Sequence, residues 1–468
     1  MQPCSGYTIC FRPLKILPIR QKTHTAWPWP DAKNLCVRGR PEDWTMISDA
    51  TQECFVYITL PGAVRAITAG KFAIEADRRG DPLGRFVYGR SYLENPDAVD
   101  IDPVELKLAG STYETIQMNG VFGALRDAGP DSWGRRIIEK RAGMPRLREI
   151  DYVLESPDDR AGALGFGMNG KPSAPPHKFS QTIELETLQA IAEALVRDEI
   201  PGHPDAEQAQ NLLRLGTSMG GARPKAVVES ESGLWVAKFS RPDDRWNYPR
   251  VEHAMLKLAR ECGIDAAESR LVTVGGRDVL LVRRFDRQRT AAGYMRARMI
   301  SGLTVLRADE SPTTRDRWSY VLMAEELRRM VSEPKADARE LYRRICFNAL
   351  ISNTDDHPRN HGFIAFEQSW RLSPAYDLIP QPVVSQDRRD LAMECGRQGR
   401  FANAANILSE CPRFLLEREE AQKIVNEMRE QVKKTWRATA LQCGVSVKDA
   451  DTVRGAFDYP GFSRSIES

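Results

Sequence analysis

The nine residues Asn353-Thr-Asp-Asp-His-Pro-Arg-Asn-His361 hold two carboxylates, two imidazoles and two amides. Such a cluster is costly to bury and unnecessary on a surface. Asp355 and Asn360 stand five apart, and Pro358 stiffens the loop between them. A further carboxylate, Asp377, follows in Ser373-Pro-Ala-Tyr-Asp377. A carboxylate near a nucleophilic hydroxyl, with an amide and a second carboxylate as hard oxygen ligands for magnesium, is the set that phosphoryl transfer needs. Taken alone, Asp355 and Asp356 read as a turn or capping pair, and His357 and His361 as loop-holding rings. Their fixed relation to Asn360 and Asp377 reverses that balance.

Flanking elements hold this loop at both ends. Residues 341–351 form an apolar helical run, and Gly362 to Phe366 reads as a strand. A turn at 367–369 then joins a second strand at 370–373, which brings Asp377 back toward the loop. Upstream, Leu234 to Phe239 is a strand carrying Lys238 near its end, and Val251, Ala254, Met255, Leu258, Ala259 and Cys262 share one helix face with Glu252 beside it. An isolated strand lysine is usually a snorkelling surface residue, and Glu252 alone suits a solvated first turn. Together they can form the ion pair that turns a lysine toward nucleotide phosphates, as in protein kinases, whose D-x-x-x-x-N loop has the spacing of Asp355 and Asn360. Val279 to Asp286 is a buried strand suited to meet an adenine base. The turn at 212–226 carries Gly220, Gly221 and Lys225, which would let an anion approach the backbone, a weak signal by itself.

The chain of 468 residues is long enough for two or three domains, and 41% hydrophobic with 28% charged residues is ordinary for a globular protein. A net charge of +3 carries no global basic field. Nine cysteines without C-x-x-C pairs suggest free thiols in a reducing compartment and argue against structural zinc. No apolar run approaches the roughly 18 to 20 residues of a membrane span. Residues 1–45 lack periodicity, and we expect a disordered extension or a start codon called too early. Residues 55–107 read as β-rich, 119–128 and 130–138 as helices, 172–176 as a connection, and 183–196 as an amphipathic helix. Helices are also expected at 318–330, 338–351 and 414–443. The expected organisation is a β-rich then helical subdomain at 46–150, a nucleotide-binding core at 151–290 and a helical catalytic lobe at 291–468. This is an α+β, two-lobed kinase-like fold.

The chain resembles the HipA-type serine/threonine kinases, the toxin components of bacterial toxin-antitoxin pairs. The resemblance rests on Ser218-Met-Gly-Gly-Ala-Arg-Pro-Lys225, Val236-Ala-Lys238, Arg284-Phe-Asp-Arg287, Asn353 to Asn360 and Ser373 to Asp377. It implies ATP and Mg2+ as cofactors and a phosphate loop of Gly220, Gly221, Ala222, Arg223, Pro224 and Lys225. Lys238 would bind ATP, with Glu252 as its ion-pair partner. Arg283, Arg284 and Phe285 would be the hinge, and Asp355 the catalytic base. His357 and Asn360 would face nucleotide and metal; Tyr376 and Asp377 would close the site, Asp377 on magnesium. Ser218 matches the serine that family members autophosphorylate to eject the loop, although Arg223 and Pro224 replace the more usual glutamine and acidic residue. The implied partners are a protein substrate such as an aminoacyl-tRNA synthetase, a helix-turn-helix antitoxin and, through it, DNA, with a cytoplasmic location and no membrane. Competing readings are a small-molecule phosphotransferase and a regulatory module without turnover.

Overall fold

The structure, a computed structural model, describes residues 53–157, 160–172, 180–181, 185–196, 223–382, 385–457 and 459–464. The expected extension at 1–45 and the glycine turn with Ser218, Gly220, Gly221 and Ala222 lie outside them.

Alternating apolar residues build the first sheet. β1 (Glu53–Thr59), β2 (Ala66–Ala76), β3 (Pro82–Tyr88), β4 (Tyr113–Thr115) and β5 (Leu164–Gly167) pair antiparallel in the order β4-β3-β2-β1-β5. Val56, Ile58, Phe72, Phe86 and Tyr88 enter the core from one face. Short helices α1 (Arg90–Leu93), α2 (Gly123–Asp127), α3 (Ser132–Ala142) and α4 (Glu149–Glu155) complete this unit. β5 pairs with β1 from Phe55 opposite Gly167 to Ile58 opposite Leu164. The unit therefore continues to residue 167, and the boundary expected at 150 is corrected: the last strand returns to the first sheet after α4. The helix expected over 119–128 is confined to 123–127. Left-handed backbone at Met118, Asn119 and Gly120 breaks it upstream. Pro130 stays outside α3, whose N-cap is Asp131.

The second sheet, in the order β6-β7-β8-β10-β9, comprises β6 (Ser180–Gln181), β7 (Lys225–Ser230), β8 (Gly233–Phe239), β9 (Ser269–Val274) and β10 (Arg277–Arg283). Helix α5 (Leu185–Val196) covers one face, where Leu188 and Ile191 share a core with Trp235, Ala237 and Phe239. Helix α6 (Tyr248–Glu261) packs by its expected apolar stripe against β9 and β10. Asn247 caps it by accepting from the Arg250 N–H, and Pro249 sits in its first turn.

The hairpin β11 (Arg287–Thr290) and β12 (Gly293–Arg296) leads to β13 (Arg298–Ser301), which pairs with β14 (Gly362–Ala365); β14 in turn pairs with β15 (Arg371–Leu372). Around them stand α7 (Gly302–Val305), α8 (Tyr320–Met330), α9 (Pro334–Leu350), α10 (Ala404–Ser409), α11 (Arg418–Gln442) and α12 (Val447–Val453). α9 is buried over most of its length, so its carboxyl end is a rigid platform for the loop that follows.

Gly84 on β3 approaches the Gly120 backbone so closely that a Cβ would collide with its carbonyl oxygen. Replacing Gly84 with Ala is expected to lower the unfolding free energy by about 1–3 kcal/mol through overpacking. Urea denaturation should show an earlier midpoint with an unchanged slope.

Candidate active site

The two adjacent acidic residues of the polar loop have separate tasks. Asp356 is buried and accepts hydrogen bonds from Asn348 Nδ2 at 2.7 Å, from the Tyr320 hydroxyl, and from His361 Nε2 at 2.8 Å. Asn348 also accepts from Asn353 Nδ2 at 3.1 Å. Three donors around one buried carboxylate fix the loop to α8 and α9, so His361 is a loop-holding residue. With Asp356 turned inward, Asp355 is exposed to the cleft. Its pKa is raised, first by partial desolvation and further by Asp377 and Asp356, with His357 opposing. Asn360 closes the loop in a short turn with Pro358, its Nδ2 donating to the Asp355 carbonyl at 3.4 Å. That bond leaves the amide oxygen as the end able to hold a cation.

Opposite the loop, Lys238 Nζ donates to Glu252 Oε1 at 2.5 Å and to Asp377 Oδ1 at 2.9 Å. Burial alone would lower the lysine pKa, but Asp377 and Glu252 outweigh it and raise it. Burial also raises Glu252, while Lys238 overcomes the burial of Asp377 and keeps that group below the ordinary carboxylate range. One ammonium thus serves two carboxylates, and Asp377 is the more firmly ionised. Asp377 has φ 59°, a left-handed conformation that costs about 1–3 kcal/mol for a non-glycine residue. An isolated parallel bridge between Ala375 and Ala266, just ahead of β9, anchors the segment that carries it.

Lys225 and Lys238 are cross-strand partners on β7 and β8. Like charges so placed repel. The second ammonium is met by Asp131, the buried N-cap of α3, which pairs with Lys225 Nζ. Lys225, Lys238, Arg359 and Asp377 line both a cleft of about 970 Å3, which Asp355 and His357 also face, and a narrower slot of about 70 Å3. The slot is walled by Val236, Val282, Phe285 and Tyr376, with Asn360 at its edge. The Phe285 and Tyr376 ring centroids lie 5.5 Å apart, and the Tyr376 hydroxyl donates to the Arg359 carbonyl.

Residues 217–436 match the family model described as HipA-like C-terminal domain. A relative, Putative kinase Y4mE of Sinorhizobium fredii, is 24% identical over 343 residues, 69% of this chain and 77% of that protein. The Serine/threonine-protein kinase toxin HipA of Shewanella oneidensis is 22% identical over 291 residues, 53% of this chain and 64% of that protein. A solved structure of HipA from the same organism, in complex with HipB and its operator DNA, superposes with a TM-score of 0.62 at 16% identity, covering 86% of this chain and 94% of that one. The chain carries a HipA-like C-terminal domain over residues 217–436. It has the two-lobed α+β fold expected of that family.

Within this HipA-type fold several expected positions are corrected. Lys225 is not in a loop: it opens β7 and is buried against Asp131, because its cross-strand neighbour is another lysine. Pro224 accepts the Phe239 N–H through its carbonyl, extending the β7–β8 ladder. Arg223 lines the cleft, but its guanidinium is engaged by Asp244 at 2.6 and 3.0 Å and lies 3.6 Å from the centroid of the Tyr248 ring. Arg283, Arg284 and Phe285 all line the slot, Phe285 beside Tyr376, while the guanidiniums of Arg283 and Arg284 are held by Glu268 and Asp286. Glu252 is buried and paired with Lys238, which excludes the alternative of a solvated first-turn residue.

Sequence reasoning missed Asp131, although Pro130-Asp-Ser-Trp has the pattern of an N-cap. It also missed Arg126, Glu310 and Arg359, whose meeting depends on three separate segments. His357 Nδ1 is buried without a partner among the described residues. That orphan, the second oxygen of Asp377 and the amide oxygen of Asn360 together suit a divalent cation with bound phosphate.

Replacing Lys238 with Met leaves Glu252 and Asp377 facing each other without their cation. Both folded-state pKa values should then exceed the unfolded ones, so stability falls as pH rises through them. The expected outcome is a variant whose denaturation midpoint, relative to wild type, is higher at mildly acidic pH than at neutral pH; equal deficits at both would contradict the shared-cation arrangement.

Proposed function

We propose that this chain is an ATP- and magnesium-dependent serine/threonine protein kinase acting as the toxin of a toxin-antitoxin pair. The observation that carries the reading is the Lys238 ammonium held between Glu252 and Asp377, on the wall of the same cleft into which Asp355 projects. The apolar slot behind Lys238 suits a purine, and Lys238 with Lys225 supplies positive charge for the phosphates. Asn360 and Asp377 would hold magnesium, which neutralises charge developing on the transferred phosphoryl group. Asp355 orients the acceptor hydroxyl and takes its proton, a task suited to a carboxylate with a raised pKa. The names of the relatives and the resemblance support the serine/threonine assignment.

The Shewanella neighbour was solved with HipB and operator DNA, which supports a helix-turn-helix antitoxin as partner and DNA contact through it. A protein substrate follows from the same reading, with an aminoacyl-tRNA synthetase as the family precedent. Ser218 is the first position at which to map self-phosphorylation. Free thiols at the six described cysteines support a reducing, cytoplasmic setting. Among the described residues no helix is long and apolar enough to cross a membrane.

Incubation with labelled ATP and magnesium should give transfer to protein serine or threonine. Asp355→Asn should lower turnover by about 100-fold or more while nucleotide affinity changes little. Near-normal transfer by this variant would remove Asp355 from the mechanism.

A further inference from the structure

An ion cluster in the cleft is left over once the phosphate chemistry is assigned. Arg126 on α2 and Arg359 in the catalytic loop both reach Glu310, at 3.0 and 3.1 Å. The guanidinium side chains are 18% and 14% exposed, whereas the glutamate between them is 56% exposed. Neighbouring Asp309 is committed to its own loop, accepting from the Ser311 N–H at 2.8 Å and the Thr314 hydroxyl at 2.7 Å. Glu310 instead reaches across the cleft. All three members of the cluster line the cavity faced by Asp355 and His357, and Arg126 and Glu310 stand away from the slot behind Lys238.

The charge balance of this cluster is uneven. Two largely desolvated guanidiniums converge on one carboxylate in direct contact, with Asp127, Asp309 and Asp131 acting only at longer range, and each cation disfavours the other. Burial and the nearby Arg359 charge both lower the pKa of Arg126. Against partial desolvation, Arg359, Arg126 and His357 hold Glu310 below the ordinary carboxylate range. Because its carboxylate is mostly in water, these screened pairs can be exchanged for those of another carboxylate at small cost. A guanidinium pair already held in place, by contrast, binds an incoming carboxylate strongly because its own desolvation has been met in folding. Beside the pair, Met118 Sδ lies 3.0 Å from Arg126 Nη1, and the 70% exposed Ile116 adds an apolar rim to the same cleft.

We propose that Arg126 and Arg359 form a notch for a carboxylate of the protein substrate, with Glu310 as its resident placeholder, so that acceptor serines or threonines flanked by Asp or Glu are selected. The word acceptor rests on the kinase reading above; binding of an acidic protein segment does not. Such a segment displaces Glu310, pairs with both guanidiniums and sets its hydroxyl beside Asp355.

Binding is tested without nucleotide, by fluorescence anisotropy of a labelled peptide of alternating Ser and Glu and of its Ser and Gln counterpart. The full chain should prefer the acidic peptide. Glu310→Gln should tighten that binding severalfold, a gain that misfolding cannot produce, and Arg126→Gln should weaken it by about tenfold while leaving the Ser and Gln peptide unchanged. Equal binding of the two peptides, or weaker acidic binding by Glu310→Gln, overturns the proposal. Binding of a single-stranded oligonucleotide with the same dependence on Arg126 overturns the assignment to protein. A chain that keeps the acidic preference but transfers no phosphate refutes the kinase reading alone; one that transfers phosphate without the preference refutes the notch alone.

Discussion

Two lysines side by side on one sheet face create the electrostatic problem around which this molecule is arranged. Lys225 and Lys238 cannot both remain charged and mostly out of water unless anions reach them, and the sheet itself provides none at that point. Glu252 comes from α6, Asp377 from the segment after β15, and Asp131 from the amino-terminal unit. Each anion belongs to a different part of the chain, so satisfying the lysines brings three parts together. Removing one partner of a buried pair costs about 3–5 kcal/mol, comparable with the net stability of many domains. The resulting cleft is thus a by-product of charge compensation as much as of apolar packing.

The same economy governs the loop between α9 and β14. The role proposed for Asp355 asks for an exposed carboxylate on a rigid backbone. Asp356 reconciles the two demands by turning inward to Tyr320, Asn348 and His361, which leaves its neighbour free on a fixed backbone. The strained φ of Asp377 has a similar source. Its backbone is held by the bridge to Ala266 and its side chain by Lys238, and these contacts together offset the local cost.

Much of this was legible in the residues. The helix carrying Glu252 and the strand carrying Lys238 have strong periodicities, and their ion pair follows from placing the two elements face to face. The five-residue spacing of Asp355 and Asn360 is local and survives folding unchanged. Lys225 was misplaced because a glycine turn and a strand start share the same few residues, and only the register with β8 separates them. The first boundary was set too early because β5 is four residues long and its partner lies about a hundred positions earlier, so no local pattern announces it. Arg283 and Arg284 line the slot with Phe285 as expected of that stretch, but where their guanidiniums go, to Glu268 and Asp286, was not legible from the alternation alone.

The amino-terminal unit is the part that a two-lobed description leaves least explained, and its attachment shows what it contributes. Asp127 accepts from the Ser301 N–H and hydroxyl and from the Thr304 hydroxyl, at 2.6 to 2.7 Å, fixing α2 to the junction of β13 and α7. Asp131 reaches Lys225, and the Gly162 N–H donates to Asp286, itself held by Arg284 and Arg287. These links are buried and directional, and they add to an apolar core that the unit shares with the rest of the chain. A unit held in that way cannot slide along the cleft, so the wall it presents, from Ile116 through Arg135, has a fixed distance from the loop that carries Asp355. On the kinase reading proposed above, fixed distance is what selection of one acceptor over another requires, since a loose wall would contact every substrate equally and discriminate among none.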